Sequence, residues 1–174
     1  MESGTPRQLG RCGLTLSQLG AGTAPLGDLW EQIPESRAEA TLAAAWAGGV
    51  RYFDTAPWYG NTLAEHRLGH FRRQQPPGSF RVSTKVGPVY ARPKDPANVA
   101  AGLWAGGLPF ELRFDYSHAG IMRSYEDSLQ RLGLPRVDLL VIHDVDRAIT
   151  AMTPASCAAS SSSRSAAAGA RSNS

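Results

Sequence analysis

Residues 14–21 (LTLSQLGA) alternate apolar and polar positions and then meet Gly22-Thr23. A period of two closed by glycine predicts a half-buried strand running into a turn. Ser36-Arg37-Ala38-Glu39 has the S-x-x-E pattern of a capping box, the apolar run Ala40–Trp46 follows, and Gly48-Gly49 ends it, which predicts a helix. Val50–Asp54 (VRYFD) reads as a short strand between those glycines and Pro57. Thr62–Arg73 reads as a second helix with Leu63, Leu68 and Phe71 inward, and Phe80–Lys85 (FRVSTK) as a third strand. Gly87–Phe114 is rich in Gly and Pro and reads as a long loop. Ser117–Leu132 carries the clearest helical period, with Ile121, Tyr125, Leu129 and Leu132 expected to face inward and Gly133 as cap. Val137–Ile142 (VDLLVI) is nearly all apolar, which predicts a strand covered on both faces.

Strands and helices therefore alternate four times. That order predicts an α/β fold with a parallel sheet and right-handed crossovers, open and doubly wound or part of a (β/α) barrel. The alternation stops near residue 148. Residues 151–174 are dominated by Ala and Ser, with no Leu, Ile, Val or aromatic residue. Such a segment cannot bury enough apolar surface to offset its ordering entropy and is expected to be disordered. The abrupt change of composition after Arg147 is what a shifted reading frame in a GC-rich gene produces. The expected division is thus a folded segment, 1–148, and an Ala/Ser-rich tail, 149–174.

Composition narrows the classes. The net charge of +3 suggests nucleic acid at first sight, but Arg164 and Arg171 of the tail carry two of those charges. The remainder is nearly balanced and has no basic stripe with interleaved aromatics, so no nucleic-acid partner is expected. No run reaches the roughly 18 apolar residues of a membrane span, and Met1–Gly10 lacks an apolar signal core. The two cysteines, Cys12 and Cys157, have no metal-ligand spacing and are expected as free thiols, which suits a cytoplasmic protein without a metal. No G-x-G-x-x-G opens a helix after a strand, so a dinucleotide fold of the doubly wound type gains no support.

In parallel α/β proteins chemistry gathers at the carboxyl ends of the strands. Here those ends carry Gly22-Thr23, then Asp54 with Trp58-Tyr59-Gly60 in its loop, then Lys85, then His143-Asp144. Asp54, Tyr59, Lys85 and His143 are therefore expected on one rim. A phenol has an ordinary pKa near 10, too high for efficient acid–base work at neutral pH, and a neighbouring ammonium favours the phenolate. A carboxylate paired to that lysine fixes its position and charge. A histidine opposite can donate a hydrogen bond to a carbonyl oxygen as charge develops there. The set suits carbonyl reduction or alcohol oxidation with a nicotinamide as hydride partner.

These residues sit within a longer pattern: Gly20-Ala21-Gly22-Thr23, Phe53-Asp54-Thr55-Ala56, Trp58-Tyr59-Gly60, Glu65 with Leu68-Gly69, Ser83-Thr84-Lys85, Ser124–Gly133 and Val137–Asp144. In order and spacing this resembles the aldo-keto reductase family, from about residue 7 to about 147. The segment Trp104–Ser117 (WAGGLPFELRFDYS) is similar to the aldose, L-fucose and pyridoxal dehydrogenase branch. The resemblance implies a partial TIM (β/α)8 barrel of about four βα units. It implies a catalytic tetrad of Asp54, Tyr59, Lys85 and His143, with Tyr59 as proton donor or acceptor. It places Gly22, Thr23 and Asp54 near the nicotinamide of NADP or NAD, and Trp58 and Trp104 at the pocket for a carbonyl or sugar substrate.

A complete barrel of this kind needs eight strands and about 250 residues. Four strands leave two open edges, so weak stability or self-association through them is expected. The alternative to an oxidoreductase is a catalytically inactive barrel fragment that serves as an interaction half. His66, His70 and His118 are expected at the surface, Tyr52 and Phe53 in the core, Trp46 between helix and sheet, and Glu65 solvated on its helix.

Overall fold

The computed structural model describes residues 4–99 and 102–145. The expected tail, 149–174, and Cys157 within it lie outside the described residues. The chain opens with a small antiparallel hairpin, β1 (Pro6–Gln8) and β2 (Thr15–Ser17). The first barrel strand, β3, is only Ala21–Gly22. The single strand predicted over 14–21 is thus split. Thr15–Ser17 turns away to pair with β1, and the Ser17 side chain bonds the Leu19 carbonyl at 2.7 Å where the chain bends.

Helix α1 (Glu35–Ala47) leads to β4 (Tyr52–Asp54), α2 (Leu63–Arg73) and β5 (Arg81–Val86). The expected capping box does not form. Pro34 is the N-cap and no side chain caps the helix. Proline favours extended backbone before it and presets the entry to the helix, so α1 starts one residue before Ser36. Glu35 is drawn instead into an ion pair with Arg67 at 2.6 Å.

The expected long loop contains a second hairpin, β6 (Pro88–Ala91) and β7 (Glu111–Phe114), antiparallel with Pro88 opposite Phe114. Helix α3 (His118–Leu132) follows, capped by the Ser117 side chain accepting from the Gly120 amide at 3.1 Å and closed by Gly133 at φ 65°. The last strand is β8 (Leu139–Ile142). The main sheet has the order β3-β4-β5-β8, every pair parallel. Helices α1 to α3 follow successive strands, so the four strands form an arc of a (β/α)8 barrel rather than a closed sheet.

The core lies between arc and helices. Phe53, Val82, Thr84 and Val86 point from the strands towards the helices and are almost completely buried with Leu42, Leu68, Phe71 and Leu132. Trp46 sits edge-on to Phe71 and Phe80, which matches its expected place between helix and sheet. Two expectations of burial fail. The innermost line of α3 is Gly120, Ser124, Ser128 and Leu132, while Ile121, Tyr125 and Leu129 are half-buried. Close approach selects small residues here: the Ser124 hydroxyl donates to the Pro88 carbonyl at 2.7 Å, and a Cβ on Gly69 of α2 would collide with the Arg131 carbonyl. Strand β8 is not covered on both faces. Leu140, Val141 and Ile142 are 45%, 44% and 54% exposed, because β8 pairs with β5 on one side only among the described residues.

Candidate active site

Parallel register places the polar residues. Gly22 lies opposite Asp54, and Asp54 opposite Ser83. Alternate strand residues face opposite sides, so Tyr52 and Asp54 of β4 and Ser83 and Lys85 of β5 share the inner face of the arc. A continuous chain of short bonds results. The Tyr52 and Ser83 hydroxyls lie 2.9 Å apart, and Ser83 donates to Asp54 Oδ1 at 2.6 Å. Lys85 Nζ donates to Asp54 Oδ2 at 2.7 Å and to the Thr55 carbonyl at 2.9 Å. Tyr52, expected in the core, is instead half-buried on this inner face, and Ser83 is named in the sequence only within the Ser83-Thr84-Lys85 pattern; the period-two positions before Asp54 and Lys85 carry the signal for both roles.

Tyr59 reaches the same place from the loop after β4. Its ring lies 4.6 Å from Lys85 Nζ. The loop is held by Gly60 at φ 67°, whose backbone packs directly on Gly27. A Cβ on Gly60 would sit 2.6 Å from the Gly27 carbonyl oxygen, so only glycine fits. Burial disfavours the Lys85 ammonium, but hydrogen bonds with Asp54 and Tyr59, and their charges, outweigh it and hold its pKa above the ordinary value.

His143 follows β8. Its amide bonds the Val86 carbonyl at 2.9 Å, and its own carbonyl accepts from the Tyr116 hydroxyl at 2.7 Å. The ring is perpendicular to Tyr59 at 5.7 Å between centroids and edge-on to Trp58 at 5.5 Å. Burial, aided by Lys85, lowers its pKa to about 4, although Asp144 and Asp54 pull the other way. The imidazole is therefore neutral at neutral pH. Its Nδ1 is buried without a partner among the described residues, and Nε2 stands 3.8 Å from Asp144, too far for a hydrogen bond.

An aromatic wall adjoins the tetrad. Trp58 contacts Trp104 and Phe114 at 6.4 and 5.6 Å, and Trp104 contacts Tyr59 at 5.8 Å. Trp58 and Trp104 also line a cavity of about 780 Å³ with Leu103, Phe110, Leu112 and Phe114. Gly22 is exposed, with open space among the described residues where a side chain would stand, whereas Thr23 is fully buried. Thr23 therefore offers no accessible surface to a ligand in this conformation.

Glu65 is not solvated as its position on a polar helix suggests. It is completely buried, accepting from the Thr84 hydroxyl and from Arg131 Nε, each at 2.6 Å. These bonds join α2, β5 and α3 directly behind the strand that carries Lys85.

A model of the aldo/keto reductase family matches residues 18–160. The chain is 44% identical over 155 residues to pyridoxal 4-dehydrogenase of Microbacterium luteolum, covering 84% of this chain and 45% of that protein. It is 41% identical over 150 residues to D-threo-aldose 1-dehydrogenase of a Pseudomonas species, covering 83% and 45%. Among solved structures, a glycerol dehydrogenase from Gluconobacter oxydans superposes with a TM-score of 0.62 at 30% identity, covering 85% of this chain and 41% of the other. The chain thus spans less than half the length of the two curated relatives. With the family model matched over most of the sequence and the four-strand arc in agreement, the chain belongs to the aldo/keto reductase family.

Proposed function

We propose that this site interconverts a carbonyl and an alcohol on an aldose or small aldehyde, using NAD or NADP. The observation that carries this reading is Lys85, which bonds Asp54 at 2.7 Å and sits under the Tyr59 ring, with the neutral His143 opposite. The residues present fit a nicotinamide at one end of its site: Gly22 leaves open space on the rim, and the Asp54 side chain beside it is 32% exposed. Gly22 and Asp54 would hold the nicotinamide end of the cofactor, whose chemistry is the giving or taking of a hydride.

In the direction of reduction, Tyr59 transfers its phenolic proton to the carbonyl oxygen. Lys85 stabilises the phenolate that remains, and Asp54 with the Thr55 carbonyl keeps the ammonium in place. An imidazole N–H of His143 donates to the same oxygen. Because the ring is neutral, it polarises the carbonyl without competing to deliver the proton. In oxidation each role reverses, and Tyr59 receives the alcohol proton. Trp58 and Trp104 give the substrate an apolar wall against which the C–H face of a sugar can stack. The test is a titration of tryptophan fluorescence with NADPH and NADH. Saturable quenching supports the reading, and no binding of either at millimolar concentration removes it.

A second reading rests on β8. Its exposed Leu140, Val141 and Ile142 and its parallel edge, open among the described residues, suit a chain that works by pairing with another surface and is catalytically silent. Concentration-dependent association without cofactor binding favours that reading.

A further inference from the structure

We infer that Arg67 is a positioning residue: through one loop it sets where the aromatic wall stands against Tyr59. The inference rests on the reading of Trp104 as part of the substrate pocket. Arg67 lies on α2, away from the tetrad, with a side chain only 6% exposed. All of its N–H groups are directed at residues 26–35. Nη1 donates to the Leu26 carbonyl at 2.7 Å and to Asp28 Oδ1 at 2.6 Å. Nη2 donates to the Ile33 carbonyl at 3.1 Å and to Glu35 Oε1 at 2.6 Å, and Nε donates to the same Glu35 oxygen at 2.9 Å. A guanidinium has five N–H donors in a fixed fork, and each has a use here.

The loop so gripped touches both sides of the site. Gly27 packs against Gly60, the neighbour of Tyr59. Asp28 is 1% exposed and sits at φ 61°, ψ 43°, a left-handed conformation that aspartate tolerates better than most side chains. That turn presents its carbonyl to the Ala105 amide at 2.9 Å, and the Trp30 amide bonds the Leu103 carbonyl at 3.0 Å. Trp104 is between those two attachments. On the other side of Asp28, a Cβ on Gly106 would collide with Oδ2. The carboxylate is therefore clamped between a guanidinium and the backbone of the Trp104 loop.

A buried ion pair stabilises poorly compared with apolar residues of equal volume. Greasy packing cannot, however, supply five directed bonds to an irregular loop. The geometry assigns Arg67 the task of holding that loop in register, so that Trp104 stands 5.8 Å from Tyr59 and 6.4 Å from Trp58.

The test uses the full chain labelled with fluorotryptophan, and fluorine NMR of its four tryptophans, assigned by Trp→Phe variants. Arg67→Lys keeps the charge and loses the fork. Gly106→Ala pushes on Asp28 from the opposite side and leaves the ion pair chemically intact. Both variants are expected to shift or broaden the Trp104 and Trp58 signals and to leave Trp46, in the core beside Phe71 and Phe80, unchanged. If Trp104 stays in place in Gly106→Ala, or Trp46 moves as far as Trp104 in both variants, the assignment is overturned. This readout needs no turnover, so it stands apart from the proposed activity. Where turnover is measurable, Arg67→Lys is expected to raise KM for the carbonyl substrate on the order of tenfold with cofactor affinity unchanged. An equal loss of cofactor affinity counts against it.

Discussion

His143 makes a pH-dependent contribution to stability whose sign and size follow from its surroundings. In the unfolded chain its imidazole takes up a proton near pH 6.5, and in the folded one only near pH 4, chiefly because burial disfavours the charged ring. Between those values the unfolded state binds more protons. Stability is therefore full above about pH 6.5 and is lost as pH falls towards 4. At about 1.4 kcal/mol per pH unit, the window amounts to about 2–3.5 kcal/mol, the lower figure allowing for solvent screening at the rim. The perturbation is His143→Gln, which keeps a polar side chain and removes the titration. Urea unfolding at pH 7 and pH 4.5, for both proteins, cancels the carboxylates common to them. Wild type is expected to lose roughly 2 kcal/mol more than the variant on acidification. An equal loss in both, or a histidine NMR titration placing His143 near pH 6.5, refutes the reasoning and the neutral-donor role with it.

Other outcomes follow from the same contacts. Tyr59→Phe is expected to lower turnover on the order of 10²–10⁴-fold while NADPH or NADH still quenches tryptophan fluorescence. Glu65→Leu leaves Arg131 and the Thr84 hydroxyl without their buried partner and is expected to cost about 3–5 kcal/mol in urea unfolding; Glu65→Leu with Arg131→Met is expected to recover most of it. Ile142→Thr, at a position 54% exposed, is expected to change stability by less than about 0.5 kcal/mol and to reduce any concentration-dependent light scattering that β8 causes.

The parallel arc and the rim were legible because each rests on short-range signals. Period-two runs locate β4 and β5, and the residues at their carboxyl ends fall on one side by geometry alone, so Asp54, Tyr59, Lys85 and His143 meet as their positions imply. Other features depend on partners far along the chain. Glu65 is buried because Arg131, 66 positions away, neutralises it, and nothing within α2 announces that. Arg67 reads as one more helix-surface charge until the loop from Leu26 to Glu35 folds over it. The alternation over 14–21 hides the bend that sends Thr15–Ser17 to a hairpin. The apolar run of β8 reports the burial that a closed barrel would give it, whereas its other edge stands open among the described residues.

The most direct test of the proposed chemistry is turnover of an aldose with NAD or NADP, followed by nicotinamide absorbance, in wild type, Tyr59→Phe and Lys85→Met side by side. The expected result is substrate-dependent formation of reduced nicotinamide in wild type alone, with both variants near the blank. Turnover in Tyr59→Phe equal to that of wild type, or none in any of the three, contradicts the assignment of this rim as a working carbonyl–alcohol site.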